Sequence, residues 1–349
     1  MATESANAAL RVENLNLHIG AGPDSIPVVD DVSFSIAPGE MVGLVGESGS
    51  GKSLTALAIM GLLPPAIRKV SGSISIDGES VTASTMDRRT RARSRKLAMV
   101  FQNPMTSLNP SHRIGHQVAE AVREHTPGIS RRAAWQRAVE LLDLVEIRSA
   151  ERSAKLYPYQ CSGGMRQRVA IAMAIACQPS VLLADEPTTA LDVTVQKSVM
   201  ELLKNLQEEL NLAVLFISHD LGLVSGPCRR TMVMYAGQLV EEGPTTEVLT
   251  RPLHPYVSGL LRCIPTRALE LGVLEPLPGR VPGPGEAREA CRFTDRCQHA
   301  IEVCSTTPPP LEQASADRRS RCYRWMEMET LEHTQQLPAP ADPSDVAGA

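Results

Sequence analysis

The stretch Gly46-Glu-Ser-Gly-Ser-Gly-Lys-Ser53 matches G-x-x-x-x-G-K-[ST] at every fixed position. Such a stretch is built to cradle a phosphate chain. Gly46, Gly49 and Gly51 let the backbone curl, so that the N–H groups of the loop, those of Glu47, Ser48 and Ser50 included, face an anion. Lys52 adds a positive charge for the β- and γ-phosphates, and Ser53 offers a hydroxyl to Mg²⁺. The context fits. An apolar run, Met41–Val45, precedes the loop. A helical pattern, SLTALAIMGLL, follows it and adds the positive end of a helix.

Further polar groups follow other apolar runs in the same way. Gln102 follows Leu97–Phe101, Asp185 and Glu186 follow Val181–Ala184, and His219 comes two residues after Ala213–Ile217. Taken singly, each has a bland reading: a loop amide, a helix cap, a satisfied imidazole. Together they place chemistry after four separate runs. Phosphoryl transfer needs positioning and charge neutralisation. Asp185 is placed to hold Mg²⁺ with Ser53 and Gln102. Glu186 is the candidate to polarise the attacking water, and His219 can contact the γ-phosphate.

The elements that must position these groups are legible. The four runs, with a fifth at Thr231–Tyr235, are nearly continuous rather than alternating, as in parallel strands buried on both faces. In an open parallel sheet ligands bind beyond the carboxyl ends of the strands, so the four runs aim at one edge. Helical patterns such as Arg131–Ile147 lie between them. The first part of the chain alternates apolar and polar residues around a Gly/Pro/Asp turn and predicts antiparallel strands. The fold class is α/β, a phosphate-loop parallel core with an antiparallel β subdomain and a helical subdomain at about 103–159.

Gln160–Ala176 opens with Ser162-Gly163-Gly164-Met165 and continues as an Ala-rich helix, a second N-terminus able to face an anion. CSGGM followed by RQRVAIAMAIACQPSVLLADEPTTALDVT resembles the signature helix, second phosphate motif and D-loop of ATP-binding cassette proteins, with Asp192 in the D-loop. The resemblance implies ATP and Mg²⁺ as cofactors and a head-to-tail pair of cassettes in which Ser162, Gly163, Gly164 and Met165 act in trans. MVFQNPMTSLNP, DEPTTALDVT, VMYAGQLVE and HPYVSGLL are similar to the dipeptide/oligopeptide importer ATPases. That similarity implies a second, non-identical cassette, two transmembrane permeases, an extracytoplasmic solute-binding protein and a place on the cytoplasmic face of the inner membrane. Importers of other small solutes, such as metal chelates, opines or oligosaccharides, form the alternative. Two positions depart from the pattern. Cys161 stands where leucine is usual, and Ile19 stands where an aromatic usually stacks on adenine.

Bulk properties narrow the choice further. A net charge of −4 and 3 % aromatic residues argue against a nucleic-acid partner. The short basic run Asp87–Lys96 reads as a solvated face. No apolar run approaches the ~20 residues of a membrane span, and the N-terminus has no signal-peptide pattern.

The eight cysteines are divided. Cys177, Cys228 and Cys263 read as small core residues. Cys291, Cys297, Cys304 and Cys322 make C-x5-C-x6-C-x17-C in a proline-rich stretch that cannot build a core. The cytosol disfavours disulfides, so a metal centre is expected. Close C-x2-4-C pairs for zinc are missing, which favours an iron–sulfur cluster on all four thiols, with Zn²⁺ as the alternative. The tail also resembles the carboxyl-terminal extension of the peptide-importer ATPases, which implies a 4Fe-4S cluster. The expected division is a cassette over 1–250, an extension over 251–330 and a disordered tail over 331–349. Loosening the extension is expected to change ATP hydrolysis little, because the catalytic groups lie far back in the sequence.

Overall fold

All five continuous apolar runs are strands in the computed structural model, which describes residues 8–81, 96–102, 107–189, 191–264, 277–286, 290–328 and 330–331. The first half of the chain supplies β1 (Leu10–Ile19), β2 (Ile26–Ile36), β3 (Met41–Val45), β4 (Ile67–Ile76), β5 (Glu79–Ser80) and β6 (Leu97–Val100). The second half supplies β7 (Val181–Asp185), β8 (Ala213–Ser218), β9 (Arg230–Tyr235), β10 (Gln238–Pro244), β11 (Glu312–Ser315) and β12 (Arg318–Ser320).

The main sheet runs β11-β12-β10-β9-β3-β8-β7-β6, and its stretch from β9 to β6 is parallel. Its central strands β3, β7 and β8 are buried at every position. The two-residue period of a strand splits these residues between two cores. Val42, Leu44, Leu183, Leu215 and Ile217 pack toward the antiparallel sheet β2-β1-β4-β5. Met41, Val45, Leu182, Ala184, Val214 and Phe216 pack toward the helices. Continuous apolar runs are therefore required, since neither face meets water.

The helices are α1 (Lys52–Met60), α2 (Ile114–His125), α3 (Arg131–Leu144), α4 (Ala150–Ser153), α5 (Gly163–Ile175), α6 (Val193–Leu210), α7 (Thr245–Thr250) and α8 (Pro255–Arg262). Their starts follow from local chemistry. Ser130, Ser162 and Asp192 each accept a hydrogen bond from a backbone N–H in the first turn of α3, α5 and α6, respectively. α6 ends at Asn211 in the left-handed conformation. The helices α2 to α4 form the helical subdomain, capping the core through Val118, Val122, Ala138, Leu141 and Leu142.

The last part of the chain returns to the main sheet. β12 pairs with β10, Glu241 facing Ser320, and β11 adds beyond it. Arg318 fixes this junction. It donates to buried Glu241 at 2.8 Å and to the Arg251 carbonyl at 2.7 Å. Elsewhere the extension consists of α8, whose Tyr256, Val257 and Leu261 join the core, and of short 3-10 turns such as Thr294–Arg296 and Glu302–Ser305. Most of the basic run Asp87–Lys96 lies outside the described residues, as do Asn103–Thr106, Ala190 and nearly all of the expected tail at 331–349. Among the described residues no helix is long and apolar enough to cross a membrane.

Candidate active site

The phosphate loop leaves β3 and enters α1 where the sheet interior ends. At Gly46 a Cβ would lie 2.1 Å from the Met234 carbonyl oxygen, so only glycine lets the loop pass β9. Gly51, at φ 101°, makes the turn into α1. Lys52 is buried and folds back over its own loop. Its Nζ donates to the carbonyls of Gly46 at 2.7 Å and Glu47 at 2.9 Å. Burial lowers the Lys52 ammonium from its usual value, against the opposing charges of Glu186, Asp185 and Glu47. A phosphate chain offers this ammonium stronger acceptors than the two carbonyls.

Asp185 ends β7 and accepts from Ser53 Oγ at 3.1 Å, which joins the first phosphate motif to the strand two places away. Burial raises the Asp185 carboxyl, and the Glu186 charge beside it adds to the rise; Ser53 and Lys52 oppose both. A divalent cation at this position would favour the carboxylate.

Glu186 follows with φ 46°, a left-handed conformation uncommon for a residue with a side chain. Its N–H is held by the Ile217 carbonyl of β8 at 2.9 Å. The carboxylate is held on three sides, by Gln102 Nε2 at 2.8 Å, Thr189 Oγ1 at 2.9 Å and His219 Nδ1 at 3.2 Å. Burial pushes this carboxyl upward, but the Thr189 and His219 hydrogen bonds, with the charges of His219 and Lys52, outweigh it and leave it below its usual value. An ionised carboxylate beside exposed His219 can accept a proton from water. The structure thus brings Gln102, Asp185, Glu186 and His219 to one edge with the loop. Thr189 lies within the DEPTTALDVT stretch but carries no role in the sequence reading, and its contact with Glu186 appears only when the turn after β7 is folded.

Ser162–Met165 and Asp192 form a second group at the N-termini of α5 and α6. Ser162 is exposed, its hydroxyl accepting from the Met165 N–H at 3.2 Å. A Cβ on Gly164 would lie 2.7 Å from Val195 Cγ1, so glycine lets the two helix starts approach. Ile19 ends β1 opposite Ile26, with its side chain partly open to solvent.

All eight cysteines are free thiols. Cys291, Cys297, Cys304 and Cys322 line one small cavity with Phe293, His299, Pro309 and Arg324. Burial pushes Cys297 up to about 11 and Cys322 up to about 12, so forming thiolates here calls for a compensating cation. Among the described residues no group of three or more His, Cys, Asp or Glu is arranged to hold a single metal ion. One zinc ion would draw four sulfurs to ~2.3 Å from a single point. The free space between the four thiols is about 20 Å³.

The extension touches the phosphate loop, although the two lie far apart in the sequence. Arg296, one residue before Cys297, makes a two-pronged ion pair with Glu47 of the phosphate loop, at 2.7 and 3.1 Å. Arg292, one residue after Cys291, pairs with Asp30 and donates to the Ala236 carbonyl. Distance along the chain is a poor guide here because the last strands bring the extension back to β10.

A phosphate loop, a buried Asp185 followed by a half-buried Glu186, and a facing Gln and His at the carboxyl edge of a parallel sheet define a phosphate-loop nucleotide hydrolase. Residues 29–189 match the ABC transporter family model, and residues 240–304 match the model for the oligopeptide/dipeptide transporter C-terminal region. The chain is 48 % identical over 313 residues, 90 % of its length and 94 % of the relative's, to BAB2_1052 of Brucella abortus (strain 2308), assigned by name to peptide import. It is 45 % identical to the oligopeptide transport ATP-binding protein AppD of Bacillus subtilis (strain 168), covering 91 % of this chain and 97 % of AppD. The ATP-binding cassette MJ0796, seen as a post-hydrolysis dimer with ADP and Pi, superposes with a TM-score of 0.59 at 31 % identity, covering 68 % of this chain and 98 % of that one. The chain belongs to the ATP-binding cassette transporter family and is an ATPase.

Proposed function

We propose that this ATPase powers import of dipeptides or oligopeptides from the cytoplasmic face of the inner membrane. The observation that carries the reading is the match of residues 240–304 to the oligopeptide/dipeptide transporter C-terminal region, on a chain whose relatives are named for peptide import. Its partners are two permeases, an extracytoplasmic solute-binding protein and a second cassette of different sequence. The cassette spans about 1–250 and the extension about 251–330.

In the proposed cycle, Lys52 leaves the Gly46 and Glu47 carbonyls for the β- and γ-phosphates. Ser53, Asp185 and Gln102 hold Mg²⁺. Gln102 then leaves Glu186, which accepts the proton of the attacking water, while His219 contacts the γ-phosphate. Ser162–Met165 close on the partner's nucleotide, as the exposure of Ser162 allows, with Asp192 at the same interface. The four thiols hold a 4Fe-4S cluster that staples an extension lacking its own core.

Uptake of labelled di- and tripeptides by cells carrying the wild-type or the Lys52→Ala chain tests the transport reading. Uptake should fall to background in the variant. Peptide uptake at the wild-type level would end it. Anaerobically purified protein should hold about four irons per chain and absorb broadly near ~400 nm. Stoichiometric zinc without iron would replace the cluster by the zinc alternative.

A further inference from the structure

The phosphate loop is held from behind by residues that the nucleotide motifs do not include. The Glu47 N–H does not face the anion as its place in the loop predicts but donates to the Tyr256 hydroxyl of α8 at 2.9 Å, while the Glu47 carboxylate receives both prongs of Arg296. Both partners are themselves fixed. Tyr256 is fully buried and packs on Tyr235 and Phe293. Arg296 is buried, donates through Nε to the Pro278 carbonyl at 2.7 Å, and lies over the rings of Tyr235 and Phe293. A second arm reaches the far side of the loop. Arg292 holds the Ala236 carbonyl in the turn between β9 and β10, and the neighbouring Gly237 N–H donates to the Ser50 carbonyl at 2.9 Å.

This arrangement has two consequences for a bound nucleotide. A loop with Gly46, Gly49 and Gly51 loses much backbone entropy when it is ordered around an anion. Fixing Glu47 by backbone and side chain lowers that loss before the nucleotide arrives. The Glu47 carboxylate also stands beside the phosphate cradle, where an unpaired negative charge repels phosphates. Arg296 neutralises it in a partly buried site, where screening by water is weak.

We propose that Arg296 and Tyr256 are positioning residues for nucleotide binding, acting through Glu47, so that the region beyond residue 250 sets how firmly the phosphate loop holds ATP. The cysteine segment that carries Arg292 and Arg296 is on this account part of the nucleotide site's support and not a separate appendage.

The test is calorimetric titration of the full-length chain with Mg²⁺ and either ADP or the non-hydrolysable analogue adenylyl imidodiphosphate, with steady-state hydrolysis measured beside it. Arg296→Gln should raise the dissociation constant of both nucleotides roughly tenfold, as expected for loss of a charge-assisted pair. The KM for ATP should rise in step, with kcat at saturating ATP within about twofold, because binding and not the chemical step is weakened. Adding Glu47→Gln to Arg296→Gln should return the affinity to within about threefold of wild type, since no stranded carboxylate is left. Arg296→Lys should fall between the two.

Unchanged affinity in Arg296→Gln would overturn the proposal. So would a loss of affinity that Glu47→Gln does not relieve, since Arg296 would then serve only the fold of the extension. Should Arg296→Gln not fold, Tyr256→Phe keeps the packing and removes the hydroxyl that accepts the Glu47 N–H. A several-fold loss of affinity is expected there, and none would overturn the proposal equally.

Discussion

The nucleotide edge and the cysteine extension reach order by opposite routes. At the edge, the functional side chains follow apolar strands of the sheet, as Asp185 ends the fully buried β7. The core positions the strand, and the strand positions the side chain. In the extension Tyr256, Val257, Leu261 and Phe293 join the apolar core, and beyond them the order comes from polar contacts. Arg292, Arg296, Arg318, Arg319 and Arg321 each reach back to a carboxylate or carbonyl of the cassette. Residues on a hydrophobic frame keep their places when one neighbour is lost. Residues held by arginines depend on each pair, because removing one partner takes the countercharge from a partly or fully buried carboxylate.

That contrast can be broken or sharpened by substitution. The largest effect is expected at the edge, where Glu186→Gln should lower ATP turnover about 10³-fold while ATP binding persists, the range for loss of a general base. Single-turnover hydrolysis at the wild-type rate would remove Glu186 from that role. The fold around it should be unchanged, as a frame-held site predicts.

The extension should answer in stability instead. Arg318→Ala leaves the fully buried Glu241 carboxylate without this countercharge, held by the Leu253 and His254 N–H groups, and breaking such a pair costs about 3–5 kcal/mol. Limited proteolysis should then cut first within the extension while the cassette stays intact. Simultaneous loss of both regions would show that the extension is not a separable layer of order.

Lys52→Ala should weaken nucleotide binding by roughly tenfold to a hundredfold, since it removes a charged donor to the phosphates, and calorimetry with ADP measures it. Equal affinity in the variant would contradict the place given to the ammonium. The smallest effect is expected at Cys177, which is half-buried and outside the four-cysteine set. Cys177→Ser should shift stability by less than about 1 kcal/mol and leave the iron content of anaerobic protein unchanged. A fall in iron would reopen the assignment of the four thiols.

Much of the edge is legible in the amino-acid order alone. The fixed positions from Gly46 to Ser53, and the polar residues after four apolar runs, point to one sheet edge, and the strands β3, β6, β7 and β8 bear these groups where expected. Thr189 is not legible in this way, because a threonine in a turn has no pattern until the turn folds against Glu186. The cysteine spacing likewise implies that four thiols can converge, and they line one cavity. It is silent on what the arginines between them touch.

Local chemistry and period are written in the chain itself. Strand burial shows in continuous apolar runs, helix starts in Ser130, Ser162 and Asp192, and the phosphate loop in its glycines, because each depends on residues a few positions apart. The long-range pairs come from tertiary structure and nothing else. Arg296 meets Glu47 and Arg292 meets Asp30 across separations of 249 and 262 residues. An arginine carries the same donors wherever it lies, so its sequence neighbours do not name its partner. The pairing of β12 with β10 and the packing of Tyr256 and Phe293 on Tyr235 bring the extension beside the phosphate loop, and the side-chain geometry there decides which carboxylate each guanidinium finds.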